Sequence, residues 1–109
     1  MWFLRRKNSS VVVVTLTDQG GGRFALEGKL SFTSVPGLLQ QGARLFAGAE
    51  QAIEVDLSGV RRCDSAGLAL MVEWLSHARR LKRSLRFQHV PAQILRMAEV
   101  SGLENILPL

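Results

Sequence analysis

The sequence predicts one α/β domain with the element order β-β-α-β-α-β-α, a mixed sheet, and helices packed mainly on one face. Three observations predict it. Short β-branched or alternating segments are separated by segments with helical periodicity. Two strand–helix–strand crossovers follow an initial hairpin, which requires both parallel and antiparallel pairs. The segments 23–30, 52–57 and 84–90 alternate polar and apolar residues, as strands with only one covered face do.

The N-terminal part predicts a hairpin. Residues 1–10 form a basic tail, and the domain is expected to span residues 11–109. The run Val11–Thr17 is almost entirely β-branched and predicts the first strand. The glycine-rich stretch 18–22 predicts a turn into the second strand at 23–30.

Helical periodicity and strand patterns alternate through the rest of the chain. Ser34 is the expected N-cap of the first helix, and Pro36 lies in its first turn. A turn is expected to connect the central strand to the long helix. The final helix is expected to end at Ser101–Gly102. The expected segments are a helix at 34–47, a strand at 52–57, a helix at about 65–82, a strand at 84–90 and a helix at 91–101.

Composition limits the class of protein. A chain of 109 residues with 47% hydrophobic and 21% charged residues is one globular domain. Cys63 is the only cysteine, which excludes a disulfide framework and a cysteine-based metal cluster. No stretch approaches the ~20 apolar residues that cross a bilayer, so we expect a soluble, cytoplasmic chain without direct membrane insertion.

The net charge of +5 leaves several partners open. Basic clusters lie at 5–7, 61–62 and 79–83. A basic chain can bind nucleic acid, an anionic membrane surface or an acidic protein. There is no Tyr, and the Phe residues are not interleaved with the clusters, so we expect no nucleic-acid binding. The 79–83 cluster is either a solvated helix end or a contact with the cytoplasmic leaflet.

The start of the long helix is the candidate site. Asp64 stands at the N-cap, and Gly67 in the first turn costs about 1 kcal/mol relative to Ala. A glycine retained there indicates close approach of another backbone, either within the fold or from a partner. The helix is apolar on two stripes. We expect Leu70 and Trp74, on the second stripe, to stay partly exposed and to anchor a partner; the alternative is that this stripe packs on the neighbouring helices.

Catalytic residues are not apparent. His77 and His89 are too far apart in the layout to act as a pair, and Asp56 is expected to satisfy backbone groups after its strand. No nucleophile–base–orienter set can be assembled. We therefore expect no enzyme activity, no cofactor and no metal site.

The segment Val-Asp-Leu-Ser-Gly-Val…Cys-Asp-Ser-Ala-Gly-Leu-Ala-Leu, together with the element order, resembles STAS domains from about Val11 to Leu107. Its form is most similar to the MlaB-like small subunit of the Mla phospholipid-transport ABC system. This resemblance implies a non-enzymatic accessory subunit that binds and supports the ATPase (MlaF-like) of a complex with a membrane permease. It also implies a cytoplasmic location, peripheral at the inner membrane through that partner.

One position separates two branches of the family. Anti-sigma-factor antagonists resemble Asp-Ser-Ser/Thr-Gly here, and their third position carries the phosphorylated hydroxyl. This chain has Ala66 at that position, with Ser65 before it. An anti-sigma-factor antagonist regulated by serine phosphorylation, with Ser65 as the candidate phosphorylation site, stays the alternative. The expected partner-binding residues are Asp64, Ser65, Ala66, Gly67, Leu70 and Trp74.

Overall fold

Seven elements, in the predicted order, build the part of the domain that the structure describes. The structure, a computed structural model, describes residues 14–105 and residue 107. The predicted basic tail and residues 11–13 lie outside the described residues. The elements are β1 (Thr15–Gly20), β2 (Arg23–Leu30), α1 (Val35–Ala47), β3 (Ala52–Cys63), α2 (Ser65–Arg80), β4 (Ser84–Gln88) and α3 (Ala92–Val100).

The strands form one mixed sheet. Their order across the sheet is β1-β2-β3-β4, which the sequence did not determine. β1 and β2 pair antiparallel. β2 pairs parallel with β3, and β3 pairs parallel with β4. The predicted mixed sheet is confirmed.

The helices cover one face of this sheet. In β3, Ile53 and Val55 are buried, whereas Glu54 and Asp56, which alternate with them, are only half-buried. The same alternation runs through β2 and β4. The apolar side chains of the strands therefore form the core with the helices, and the opposite face is polar. The prediction that helices pack mainly on one face is confirmed.

The hairpin is displaced along the chain relative to the prediction. β1 continues to Gly20, which pairs with Arg23, so the connecting turn is Gly21–Gly22 rather than residues 18–22. The amide of Gly20 also donates to the Asp18 carboxylate at 2.8 Å. Gly20, Gly21 and Gly22 all have positive φ, which glycine adopts readily.

The predicted turn after Leu57 is wrong, because β3 continues to Cys63. Its pairing with β2 runs to Leu30↔Cys63 and is interrupted at two points, where β3 has one more residue than β2. Such bulges keep an irregular stretch inside a sheet. Ser58 and Gly59 have turn-like composition, but the pairing with β2 keeps them extended. β3 therefore carries the start of α2 well beyond the end of β4, whose last pair is Asp56↔Gln88.

The helix ends lie where the sequence predicts them, but the side chain of the first cap makes different hydrogen bonds from those expected. Ser34 is the N-cap of α1, yet its side chain makes no capping bond. The Ser34 hydroxyl donates to the Lys29 carbonyl at 2.9 Å and accepts from the Ser31 amide at 3.0 Å. α3 follows Pro91, and Gly102 after its end has φ of 72°, as predicted for a glycine stop.

Asp56, in the last residue pair between β3 and β4, connects β3 to the residue that follows β4. Its Oδ1 accepts from the Ser58 amide at 2.9 Å and lies 2.8 Å from His89 Nδ1. The Ser58 amide is the main cause that lowers the pKa of Asp56; partial burial opposes it, and His89 adds to the lowering. The prediction that Asp56 satisfies backbone groups is confirmed.

The lowered pKa of Asp56 predicts a pH-dependent contribution to stability. A carboxylate whose folded pKa lies below its usual value stabilises the fold above about pH 4, and this stabilisation is lost as the pH falls through the folded pKa. We expect Asp56→Asn to lower the free energy of unfolding by less than about 1 kcal/mol at pH 6, since solvent screens the 35% exposed side chain. Urea unfolding at pH 6 and pH 3 measures this.

The loss should shrink at the lower pH, because protonation of the Asp56 carboxyl removes the interactions that lower its pKa. Glu54→Gln is the matched control, because it removes a carboxylate from the same strand and face. An Asp56→Asn effect of the same size at both pH values would contradict the assignment.

Candidate partner-binding surface

The start of α2 is held at the carboxyl ends of the central strands. Asp64 is the predicted N-cap, and its Oδ1 accepts from the Ala66 amide at 2.8 Å. The Asp64 amide donates to the Leu30 carbonyl at 3.2 Å. The cap is therefore hydrogen-bonded to the last residue of β2. The segment 64–67 lies just beyond the carboxyl ends of the parallel strands, where ligands of α/β sheets commonly bind.

The segment 64–67 divides into an exposed and a buried half. Asp64 and Ser65 are exposed, whereas Ala66 and Gly67 are buried. A Cβ on Gly67 would lie 3.3 Å from both the Cys63 Cβ and the Leu30 Cδ1. The close approach at Gly67 is thus made inside the fold, by the ends of β2 and β3, so its retention points to packing.

The predicted exposure of Leu70 and Trp74 is wrong. Leu70 is 0% exposed and Trp74 is 1% exposed. The Trp74 and Phe46 rings pack edge to face, with their centroids 5.3 Å apart and an interplanar angle of 77°. A side chain at Gly42 of α1 would overlap the Trp74 indole, so the missing Cβ makes room for it. The second apolar stripe of α2 packs on a neighbouring helix, and neither residue can be a surface anchor in this structure.

An exposed apolar surface lies next to Ser65 instead. An open cavity of about 370 Å³, which we call the α2–α3 groove, separates the start of α2 from α3. Val100 at its rim is 88% exposed, and Met97 is half-buried. The groove is lined by Ser65, Leu68, Gln93, Arg96, Met97, Val100 and Ser101.

Three cationic side chains lie near this region. Arg96 lines the α2–α3 groove. Lys29 and Arg62 line a smaller depression of about 170 Å³ on the other side of Asp64. All three cations are exposed. An apolar groove with basic residues around it is suited to a protein surface that is apolar at its centre and acidic at its margin.

The surroundings of Ser65 hold no activated nucleophile. Burial, and after it the Asp64 charge, raises the pKa of the Cys63 thiol, whose Sγ is 3.6 Å from Gln93 Oε1. A thiol with a raised pKa stays protonated at neutral pH and is a poor nucleophile. His77 lies near the other end of α2 and contacts the Ala43 carbonyl at 3.4 Å.

Within residues 14–105 and 107, no group of three or more His, Cys, Asp or Glu side chains is arranged to hold a metal ion. The helices of the same range are too short or too polar to cross a membrane.

Sequence reasoning missed two exposed hydrophobic residues. On α3 only Ile94 and Ala98, four residues apart, are buried, although Val100 is also apolar. Val100 lies off that stripe, which was the available signal. Phe32, 72% exposed just after β2, gave no periodic signal because it lies in a turn.

Comparison with solved structures identifies the class of fold. The structure superimposes on the anti-sigma factor antagonist SpoIIAA in its unphosphorylated form with a TM-score of 0.68 and 15% identity, covering 87% of this chain and 85% of that chain. An anti-sigma factor antagonist from Mycobacterium paratuberculosis gives a TM-score of 0.68 and 22% identity, covering 93% and 86%. At these identities the likeness shows the fold.

Comparison of sequences identifies the family. The family described as "Mlab, STAS domain" matches residues 15–108, so the chain belongs to the STAS domain family, in its MlaB-like group. The intermembrane phospholipid transport system binding protein MlaB of Haemophilus influenzae is 28% identical over 107 residues, which are 95% of this chain and 91% of that protein. The expected resemblance to STAS domains of the MlaB-like kind is confirmed.

The Gly42–Trp74 contact makes a testable prediction about two glycines of α1. Alanine is preferred over glycine inside a helix by about 1 kcal/mol. At Gly42 a Cβ would lie 2.7 Å from the Trp74 Cε2, and overpacking of this kind costs about 1–3 kcal/mol. We therefore expect Gly42→Ala to destabilise the fold in urea unfolding.

Gly37→Ala is the matched control, because a Cβ at Gly37 meets nothing within 4 Å. It should leave the stability unchanged or raise it. Equal effects of the two substitutions would show that Trp74 does not pack as described.

Proposed function

We propose that this protein is a non-enzymatic accessory subunit that binds and supports the ATPase of an Mla-type phospholipid-transport ABC system. The identity of 28% to an MlaB protein over 95% of the chain supports this proposal most directly. Ala66 agrees with it, since a methyl group at the third position of the segment 64–67 cannot accept phosphate. Association through the ATPase would locate the chain at the cytoplasmic side of the inner membrane.

The binding surface consists of Asp64 and Ser65 together with the α2–α3 groove. Ala66, Gly67, Leu70 and Trp74 contribute indirectly, because they fix the position of α2 from inside the fold. Stable interfaces bury about 800 Å² on each partner around an apolar centre. Val100 and Met97 supply that centre, and Arg96 supplies a polar margin.

The mechanism follows from linkage between binding and assembly. A subunit that binds only the assembled form of the ATPase stabilises that form by RT ln(1 + [L]/Kd), which is about 2.7 kcal/mol at a hundredfold excess over Kd. This requires no chemistry from the accessory subunit. ATP hydrolysis takes place in the partner, and the rigid attachment of α2 to the sheet keeps the binding surface in one conformation.

Exposed Ser65 supports the second candidate, an anti-sigma-factor antagonist regulated by phosphorylation. Its hydroxyl is accessible in the first turn of α2. The positive end of the helix dipole would stabilise a phosphate there. The Asp64 carboxylate next to it, which already caps the helix, would oppose that phosphate by charge repulsion.

The groove predicts which substitutions abolish the complex. We expect Val100→Asp to place a charge in the apolar centre and to lower co-purification with the ATPase at least about tenfold, as loss of a central interface side chain does. Co-purification from cells that express the tagged chain, followed by mass spectrometry, measures this. Ala47→Asp is the control, because it adds the same charge at an exposed position at the carboxyl end of α1, away from the groove. The Ala47→Asp variant should bind the ATPase normally.

Circular dichroism should show that both variants are folded, as expected for exposed positions. Recovery of a serine kinase instead of an ABC ATPase with the unsubstituted chain would overturn the proposal. If Val100→Asp leaves recovery of the ATPase unchanged, the interface does not include the groove.

Phosphorylation distinguishes the two candidate functions. In the accessory-subunit role, we expect less than about one chain in ten to carry phosphate on Ser65 in cells, because the third-position hydroxyl is missing and Asp64 repels the group. Intact-protein mass spectrometry measures the phosphate, with Ser65→Ala as the control that assigns it. Stoichiometric phosphate that Ser65→Ala removes would favour the antagonist.

A further inference from the structure

The free edge of β4 is a second surface, separate from the α2–α3 groove. β4 pairs with β3 on one side, and no described strand pairs with its other side. The Ser84 amide donates to the Gln51 carbonyl, on the side of β3. Because backbone groups alternate along a strand, the N–H and C=O groups of Leu85 and Phe87 point away from β3. They are available to a further strand.

A cleft runs beside this edge. It has a volume of about 430 Å³ and lies between the last residues of β4 and Leu95 of α3, and its lining also includes Arg86 and His89. Leu95 is 39% exposed. Leu95 and Val100 are five positions apart, which is about 140° around a helix, so they face different directions. An edge strand beside an apolar helix residue is the arrangement that binds extended peptides by strand addition.

The charges of the edge select the occupant. Arg86 is exposed on the polar face, and Lys82 is exposed just before β4. Opposite charges in neighbouring strands are favourable, and like charges are unfavourable. Antiparallel pairing of two copies of β4 about its central residue would place Arg86 beside Arg86. The edge therefore disfavours a second copy in this register and favours an acidic strand.

We propose that β4 binds an extended acidic segment of a partner protein as a fifth strand of the sheet. Leu85 and Phe87 hydrogen-bond its backbone, an acidic side chain lies beside Arg86 on the polar face, and the apolar side chains on either side of that acid lie towards Leu95. The short edge with its arginine discourages unselective pairing. This surface is independent of the proposed ATPase interface.

Binding of a labelled peptide, acetyl-Val-Glu-Val-Glu-Val-amide, to the full chain tests this proposal by fluorescence anisotropy. We expect saturable binding that is at least about tenfold weaker for the Val-Lys-Val-Lys-Val analogue and for a peptide with alternate N-methylated amides. Arg86→Glu should reverse the preference between the acidic and basic peptides. In NMR hydrogen exchange, the acidic peptide should protect the amides of Leu85 and Phe87.

Arg44→Glu is the control, since it makes the same charge change at an exposed position of α1, away from the β4 edge. It should leave the affinity within about twofold. No binding at millimolar peptide, equal binding of the N-methylated peptide, or unchanged binding to Arg86→Glu would each overturn the proposal. Loss of binding on Val100→Asp but not on Arg86→Glu would also overturn it, because the peptide would then occupy the α2–α3 groove.

Discussion

The packing of Trp74 against α1 is the contact on which the rest of the structure depends. The Trp74 ring packs on Phe46 of α1, and Phe46 packs on Phe24 of β2, with ring centroids 5.3 Å apart in each pair. Three aromatic rings therefore join α1 and α2 to the sheet. The indole fits only because Gly42 has no side chain. Its N–H is buried without an acceptor among the described residues, which indicates that packing decides its place. Edge-to-face aromatic pairs contribute about 0.5–1.5 kcal/mol beyond the area that they bury.

This aromatic contact determines what α2 can offer a partner. With Leu70 and Trp74 inside, the helix presents only its N-terminal end and a narrow, mostly polar outer stripe. The end is held in place by two hydrogen bonds, because the Asp64 amide donates to β2 and the Asp64 carboxylate accepts from the first turn of α2. α3 adds the exposed Val100, which lies off the buried stripe of that helix. Partner recognition in this domain therefore combines a fixed helix end with an apolar residue from another helix.

The sheet separates the molecule into surfaces with different chemistry. Helices cover one face, where the apolar side chains form a single core. The other face carries charges in register, since Arg23 of β2 and Arg86 of β4 both lie opposite Glu54 of β3. β3 extends beyond β4, so the polar face, the free edge of β4 and the start of α2 are at different places on the sheet.

Local chemistry was enough for much of this fold. The order of elements, the alternation of the strands and the cap at Asp64 each depend on residues close in sequence, and the motif around residues 64–67 indicated the family without any structure. Tertiary structure alone decided the strand order, the continuation of β3 through Ser58 and Gly59, and the burial of Leu70 and Trp74. The sequence of α2 is apolar on two stripes whether its neighbour is α1 or another protein. Trp74 is buried because Gly42 of α1 leaves room for its indole. Gly42 is distant in sequence and becomes a neighbour of Trp74 only when the sheet brings α1 and α2 together.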